Sequence, residues 1–431
     1  MGMKTVFVWF IWLGLVDFAV GGRVRHYKFD VEYMIKSPDC LEHVVMGING
    51  QFPGPTIRAE VGDTLDIALT NKLFTEGTVI HSLAWNQTAW NIFLPWSPWY
   101  ASSRVVWFIN SRFAKGTKEP FHYDGEFNLL LSDLWHTGSH EQEVGLSTKP
   151  LKWIDEPQTL LINGSGQFNC SLAAKFTNTT LPQCQFKGGE KCAPQILHVE
   201  PNKTYRIRIA STTSLAALNL AISNHKLVVV EADGNYVTPF AVDDMDIYSG
   251  ESYSVLLRTD QYPNKNYWLS VGVRGRKPNT TQGLTILNYK SISASVFPTS
   301  PPPITPIWND FERSKAFTKK IIAKMGTPQP PKRSDRTIFL LNTQNRIDGE
   351  IHPWHLHGHD FWVLGYGEGK FKQGDEKKFN LTHAPLRNTA VIFPYGWTAL
   401  RFKADNPVGK IPRKALTCGL TGKKLVENGH Y

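Results

Sequence analysis

The sequence predicts an all-β chain built from β-sandwich domains. Two observations point to strands. Apolar and polar residues alternate over short runs, as in Lys28-Phe29-Asp30-Val31-Glu32-Tyr33-Met34 and Thr204-Tyr205-Arg206-Ile207-Arg208-Ile209, which is the period of a strand with one buried face. The 34 glycines and 27 prolines are spread along the chain and punctuate those runs with turns. A third observation is negative: no stretch shows sustained helical periodicity. Short strands at this spacing read as sandwiches of antiparallel sheets.

Taken in order, the chain opens with Met1-Gly2-Met3-Lys4, then an apolar run from Val6 to Val20 broken by Asp17, then the small-residue stretch Ala19-Val20-Gly21. This reads as a signal peptide over residues 1–21, the run being too short for a membrane span; an N-terminal anchor is the alternative. The first segment, 22–117, continues through the loop Gly47-Ile48-Asn49-Gly50-Gln51-Phe52-Pro53-Gly54-Pro55 to the strand-like Thr64-Leu65-Asp66-Ile67-Ala68-Leu69. A second segment, 118–305, carries the most regular strand pattern, including Leu227-Val228-Val229-Val230-Glu231 and Tyr267-Trp268-Leu269-Ser270-Val271. The third, 306–431, follows the connector Pro298-Thr299-Ser300-Pro301-Pro302-Pro303 and contains another at Thr327-Pro328-Gln329-Pro330-Pro331.

A length of 431 residues suits two or three domains, and 41% hydrophobic residues excludes a disordered chain. The net charge of +10 admits an anionic partner such as an acidic cell-wall polysaccharide. No Lys/Arg run is long enough for a nucleic-acid arm, so nucleic acid is not expected, nor is membrane attachment after signal cleavage. Sequons at Asn86, Asn163, Asn169, Asn178, Asn202, Asn279 and Asn380 agree with secretion into the cell wall or apoplast. Cys40, Cys170, Cys184, Cys192 and Cys418 should pair in an oxidising compartment, and an odd count leaves one over.

Chemistry concentrates in one string, His352-Pro353-Trp354-His355-Leu356-His357-Gly358-His359, which holds four of the 14 histidines. Neutral imidazole is a usual copper ligand, and on a strand His355 and His357 face the same way. With the Asp360-Phe361-Trp362-Val363-Leu364-Gly365 that follows, the string resembles the third-domain copper motif of the multicopper oxidase family. Gly47 to Pro55, Ser249-Gly250-Glu251-Ser252-Tyr253-Ser254-Val255, Leu341-Asn342-Thr343-Gln344-Asn345 and Leu386-Arg387-Asn388-Thr389-Ala390-Val391-Ile392-Phe393-Pro394 resemble its L-ascorbate oxidases. The resemblance implies three cupredoxin-like β-sandwich domains, the first and third incomplete here. It further implies a secreted, copper-dependent oxidoreductase, a homodimer if intact, that couples ascorbate oxidation to reduction of oxygen to water.

Residue by residue, the resemblance gives His352 as a type 1 copper ligand, His81 and His355 as type 2 ligands, and His357 as a type 3 ligand. It gives Trp153 as a wall of the ascorbate pocket, and Cys40–Cys192 and Cys170–Cys184 as disulfides. On residue chemistry alone His81 reads equally as structural and Trp153 as core. Against the family pattern, no cysteine here stands between two histidines, so the thiolate of a type 1 site is missing. Around residues 82–114 the family's His-Trp-His-Gly and His-Gly-His motifs are also absent. Reading assumed codons of Leu83-Ala84-Trp85-Asn86 and Pro95-Trp96-Ser97-Pro98 one nucleotide later restores Trp-His-Gly and His-Gly-His. The resemblance therefore implies a truncated, partly frame-shifted copy with most copper ligands gone and little or no oxidase activity. A copper-binding remnant with a single ion, or a non-enzymatic basic wall glycoprotein, are the alternatives. The transcript should carry codons compatible with that shift; sequencing it across residues 82–114 is the check, and incompatible codons end the idea.

Overall fold

The computed structural model describes residues 23–60, 63–74, 81–82, 90–94, 105–112, 119–153, 156–169, 194–275, 280–340, 351–356 and 358–404. It is dominated by strands, as the alternation predicts. In the first segment these are β1 (Val24–Lys36), β2 (His43–Ile48), β3 (Ile57–Glu60), β4 (Thr64–Asn71), β5 (His81–Ser82), β6 (Trp90–Leu94) and β7 (Val105–Arg112). They make two sheets, in the orders β2-β1-β4 and β3-β7-β6-β5. The buried faces of the first three strands meet in a small core of Phe29, Val31, Met46, Ile48, Ile57, Ala59 and Leu73. Close by, Ile35, Val44 and Phe74 line an open apolar patch, and Phe74 is 87% exposed.

The second segment supplies β8 (Gly125–Leu134), β9 (Thr159–Ile162), β10 (Leu197–Val199), β11 (Thr204–Ser211), β12 (Ala217–Ile222), β13 (Leu227–Ala232), β14 (Asn235–Val242), β15 (Asp244–Ile247), β16 (Ser252–Arg258), β17 (Tyr267–Arg274) and β18 (Gly283–Tyr289). A six-stranded sheet, β14-β13-β16-β11-β8-β9, faces a five-stranded one, β10-β18-β17-β12-β15. Between them lies the main core, with Leu129, Ile207, Leu218, Leu257 and Leu287 all fully buried. Asn163 ties two strands together: its Oδ1 accepts from Leu130 N at 2.8 Å and its Nδ2 donates to Asn128 O at 3.1 Å. The amide of that sequon is therefore already engaged.

The third segment gives β19 (His352–His355), β20 (Phe361–Glu368), β21 (Leu386–Arg387), β22 (Thr389–Ile392) and β23 (Gly396–Phe402). Period two is plain on β20: Phe361 and Val363 pack with Ala390, whereas Trp362 and Leu364 pack with Ala384 on the other face.

Two sequence expectations need correction. The sheets are mixed, because β1 with β4, β3 with β7, β8 with β11 and β10 with β18 run parallel. Alternation reveals a strand but not its partner; a strand that leaves its sheet through a crossover can return in the same direction. Among the described residues there are also two α-helices, α1 (Ser139–Ser147) and α2 (Phe311–Lys320). Asp310 caps α2, accepting from Arg313 N at 3.1 Å, and Lys319 and Lys320 suit its C-terminal dipole. No apolar stripe announces α2, because two of its buried residues, Ser314 and Thr318, are polar. Ser314 Oγ instead donates to Asp246 Oδ2 at 2.5 Å, and Arg274 Nη2 donates to Ser314 Oγ at 3.0 Å.

Through Phe317 and Ile321, helix α2 completes the core of the second sandwich. Phe317 sits edge-on to Phe240 and to Tyr253, both at 5.9 Å. Phe317→Ala should destabilise the full chain by about 3 kcal/mol, read as a lower denaturant midpoint for the second sandwich. An unchanged midpoint would show that the helix contributes nothing to that core.

Candidate metal centre

The strand β19 carries two of the expected ligands, His352 and His355, three residues apart and so on opposite faces. It pairs antiparallel with β22, placing His352 opposite Ile392 and His355 opposite Thr389. His355 Nδ1 lies 2.7 Å from Asn388 O. A carbonyl only accepts, so the Nδ1 carries the proton and the lone pair is on Nε2. That is the tautomer and orientation an imidazole takes when Nε2 binds a metal and Nδ1 is fixed by a backbone carbonyl.

Asn388 is itself held from the second sandwich. Asp233, fully buried, accepts at Oδ2 from Arg387 Nε at 2.7 Å, Thr389 N at 3.1 Å and Asn388 N at 3.3 Å. Arg387 Nη2 also donates to Glu251 Oε1 at 2.9 Å and to Tyr253 OH at 3.2 Å, with its guanidinium 5.1 Å from the Tyr253 ring centre. One buried cation thus faces two carboxylates. Burial pushes the Glu251 carboxyl up to about 7, Arg387 opposes the shift and Asp233 adds to it. Burial and the Asp233 charge likewise push Asp360, directly after the histidine string, up to about 7. Tyr253 and Tyr366, close by, have phenols raised by burial.

Of the residues expected from sequence, His352 and His355 are therefore placed on one strand. His357 lies outside the described residues. His81 starts β5, paired with Phe93, and the position of its imidazole lies outside what the structure describes. Trp153 is 37% exposed, which rules out the core reading and leaves the side chain free to wall a pocket. Cys40 is disulfide-bonded. Its partner, like Cys170, Cys184, Cys192 and Cys418, is outside the described residues, so neither expected pairing is tested.

The donor set was tested against copper on these observations. His355 fits as a single imidazole ligand. A four-copper complement does not fit, because the sequence offers no cysteine flanked by histidines and few of the other ligands. Sequence reading missed Asp233, whose carboxylate organises the ligand strand from more than a hundred residues away; a lone aspartate in a turn gives no signal of that. It also missed a second cluster. Among the described residues, Asp39, His43 and His136 bring three metal-competent atoms within 4.8 Å of one another.

Known proteins agree with the motif reading. Family models described as multicopper oxidase match residues 30–91, 125–291 and 297–409. An L-ascorbate oxidase of Nicotiana tabacum is 49% identical over 557 aligned positions, covering 96% of this chain and 96% of the relative. One of Cucurbita maxima is 48% identical over 95% of both chains. The 557 positions exceed the 431 residues here, so the relative carries internal segments with no counterpart in this chain. A laccase from Botrytis aclada shares the fold, with a TM-score of 0.65 at 22% identity over 90% of this chain and 84% of that one.

The carboxyl at Glu251 has a direction for stability. A carboxyl raised above its ordinary value of 4.5 stabilises the fold while protonated. That contribution is whole below pH 4.5 and is lost as pH rises through about 7. Thermal unfolding of the full chain should therefore move to lower temperature between pH 5 and pH 8, and Glu251→Gln should flatten that fall by on the order of 3 kcal/mol. Parallel profiles for the two proteins would rule out Glu251 as the titrating group.

Proposed function

This chain belongs to the L-ascorbate oxidase branch of the multicopper oxidases, and we propose that it is a secreted member that keeps the scaffold and one oriented copper ligand but cannot run the oxidase cycle. Copper is the cofactor that this membership implies, and ascorbate and oxygen are the substrates. In such enzymes the metal supplies the one-electron steps between reductant and oxygen. The observation that carries the reading is the donor set: five cysteines, none between histidines, so a thiolate-centred site has no anchor.

What this chain's own residues do is narrower. Asn388 O and the Asp233–Arg387 cluster hold His355 by its Nδ1, which leaves Nε2 as the ring nitrogen that would ligate a cation. His81, the other residue matching a type 2 ligand, would complete a site for a single copper if the first and third segments meet there. The oriented His355 favours this remnant over a metal-free basic glycoprotein. In the remnant, Trp153 offers an exposed aromatic face.

Purified full chain loaded with copper should hold one ion that depends on His355, show no strong blue copper–thiolate absorption, and take up oxygen with ascorbate only at the background rate. His355→Ala should remove that ion. Several coppers per chain with blue colour and ascorbate-dependent oxygen uptake would overturn the reading.

A further inference from the structure

We propose that Asp39, His43 and His136 form a second, separate site for a divalent transition-metal ion of the zinc class, at the junction of the first and second sandwiches. Asp39 lies in the turn between β1 and β2, His43 opens β2, and His136 follows β8, so two segments far apart in sequence converge on one carboxylate. His43 Nε2 is 2.9 Å from Asp39 Oδ1, and His136 Nε2 is 2.6 Å from Asp39 Oδ2. The imidazole rings lie 4.8 Å apart. None of the three belongs to the histidine string or to the residues matched to copper ligands.

Two imidazole nitrogens and a carboxylate oxygen are the donors that zinc takes in open sites with three protein ligands. At metal–ligand distances of about 2.0–2.2 Å, a tetrahedral ion separates its ligands by roughly 3.3 Å. The two Asp39–imidazole separations, 2.9 and 2.6 Å, are shorter than that value and all three donor atoms lie within 4.8 Å of one another, so an ion enters between them by spreading the imidazoles slightly from the carboxylate. Each neutral imidazole moves its one N–H proton from Nε2, where it is shared with the carboxylate, to Nδ1, which frees the Nε2 lone pair for the ion, and no oxidation or reduction is involved. Chain geometry is already set for it. Thr159 Oγ1 donates to Asp39 Oδ2 at 2.9 Å, Phe168 packs edge-on to His136 at 4.5 Å, and backbone bonds Gly166 N to Pro38 O and Phe168 N to Asp39 O pin the turn to the second sandwich. Asp39 is fully buried and His136 nearly so, whereas His43 retains some exposure and marks the side from which an ion and a water ligand enter.

A bland reading competes: the trio as a hydrogen-bonded latch that needs no ion. Burial raises the Asp39 carboxyl, but hydrogen bonds from His136 and then His43 outweigh it and hold the group well below the usual carboxylate range. Such a latch is satisfied by protons alone. The two readings part on His43→Gln, whose amide still donates to Asp39 but is a poor ligand.

The full chain, stripped with a chelator, is titrated with zinc chloride, and bound zinc after dialysis and the thermal midpoint are followed for the unaltered protein, His43→Gln and His355→Gln. One zinc per chain that survives in His355→Gln, with affinity about a hundred-fold or more weaker in His43→Gln and the zinc-induced rise in midpoint lost there, supports the site. No zinc bound by the unaltered protein, or equal binding in His43→Gln, overturns it in favour of the latch. His355→Gln separates this site from the copper reading, which can fail without touching the result.

Discussion

A single buried guanidinium anchors the strand that carries the candidate metal ligand His355. Arg387 enters the second sandwich between Asp233 and Glu251, and the same Asp233 oxygen takes the backbone N–H groups of Asn388 and Thr389. Asn388 then offers its carbonyl to His355. Among the described residues the third segment's own clusters, one on either face of β20, are small, and Ile351, Val391 and Phe393 pack instead with Ala217 and Tyr248 of the neighbouring sandwich. Breaking the pair by removing the cation would leave two carboxylates buried without compensation, which is far costlier than the net value of the pair itself. Placement of the ligand is therefore tied to the integrity of the second sandwich.

The same dependence would let a chain keep its architecture while losing its chemistry, as proposed for this one. The second sandwich spans two continuous sheets and a fully buried core, closed by Phe317 and Ile321 from helix α2. Hydrophobic burial is tolerant, since a lost strand removes contacts roughly in proportion to area. Coordination is not tolerant: a copper–thiolate site without its sulfur is a different site, whatever surrounds it. Under the proposed reading, internal segments missing relative to the tobacco relative would cost the electron-transfer path before they cost the fold.

Much of this was legible in the sequence, and the limits have physical causes. Alternation along β1 and β11 gave strands because one face of each is apolar, although on β11 the other face, with Arg206 and Arg208, is buried too. Mixed sheet directions were hidden because periodicity carries no information about partners. Helix α2 was hidden because Ser314 and Thr318, buried against Asp246 and Arg274, replace the apolar stripe a reader looks for. The histidine string stood out as a candidate ligand site because four imidazoles in eight residues have few other uses. Its supports were not: Glu251 and Arg387 stood out only as parts of matching stretches, and nothing in the sequence said that those stretches touch. Trp153 was ambiguous until its exposure was known.

The Asp39 cluster shows the converse case, in which a site is invisible because its parts are individually ordinary. An aspartate in a turn, a histidine four residues on, and another histidine ninety-seven residues away from the aspartate carry no pattern. They converge because β1 and β2 turn against β8 and β9 at the joint between two sandwiches, where a buried carboxylate must find donors. Any donor satisfies that need, but two imidazoles are the choice that also creates a metal site. Lysine or arginine would have met the electrostatic requirement and excluded a cation; histidine meets it and leaves the site open to one. That difference makes the joint a chemical question and not merely a packing one.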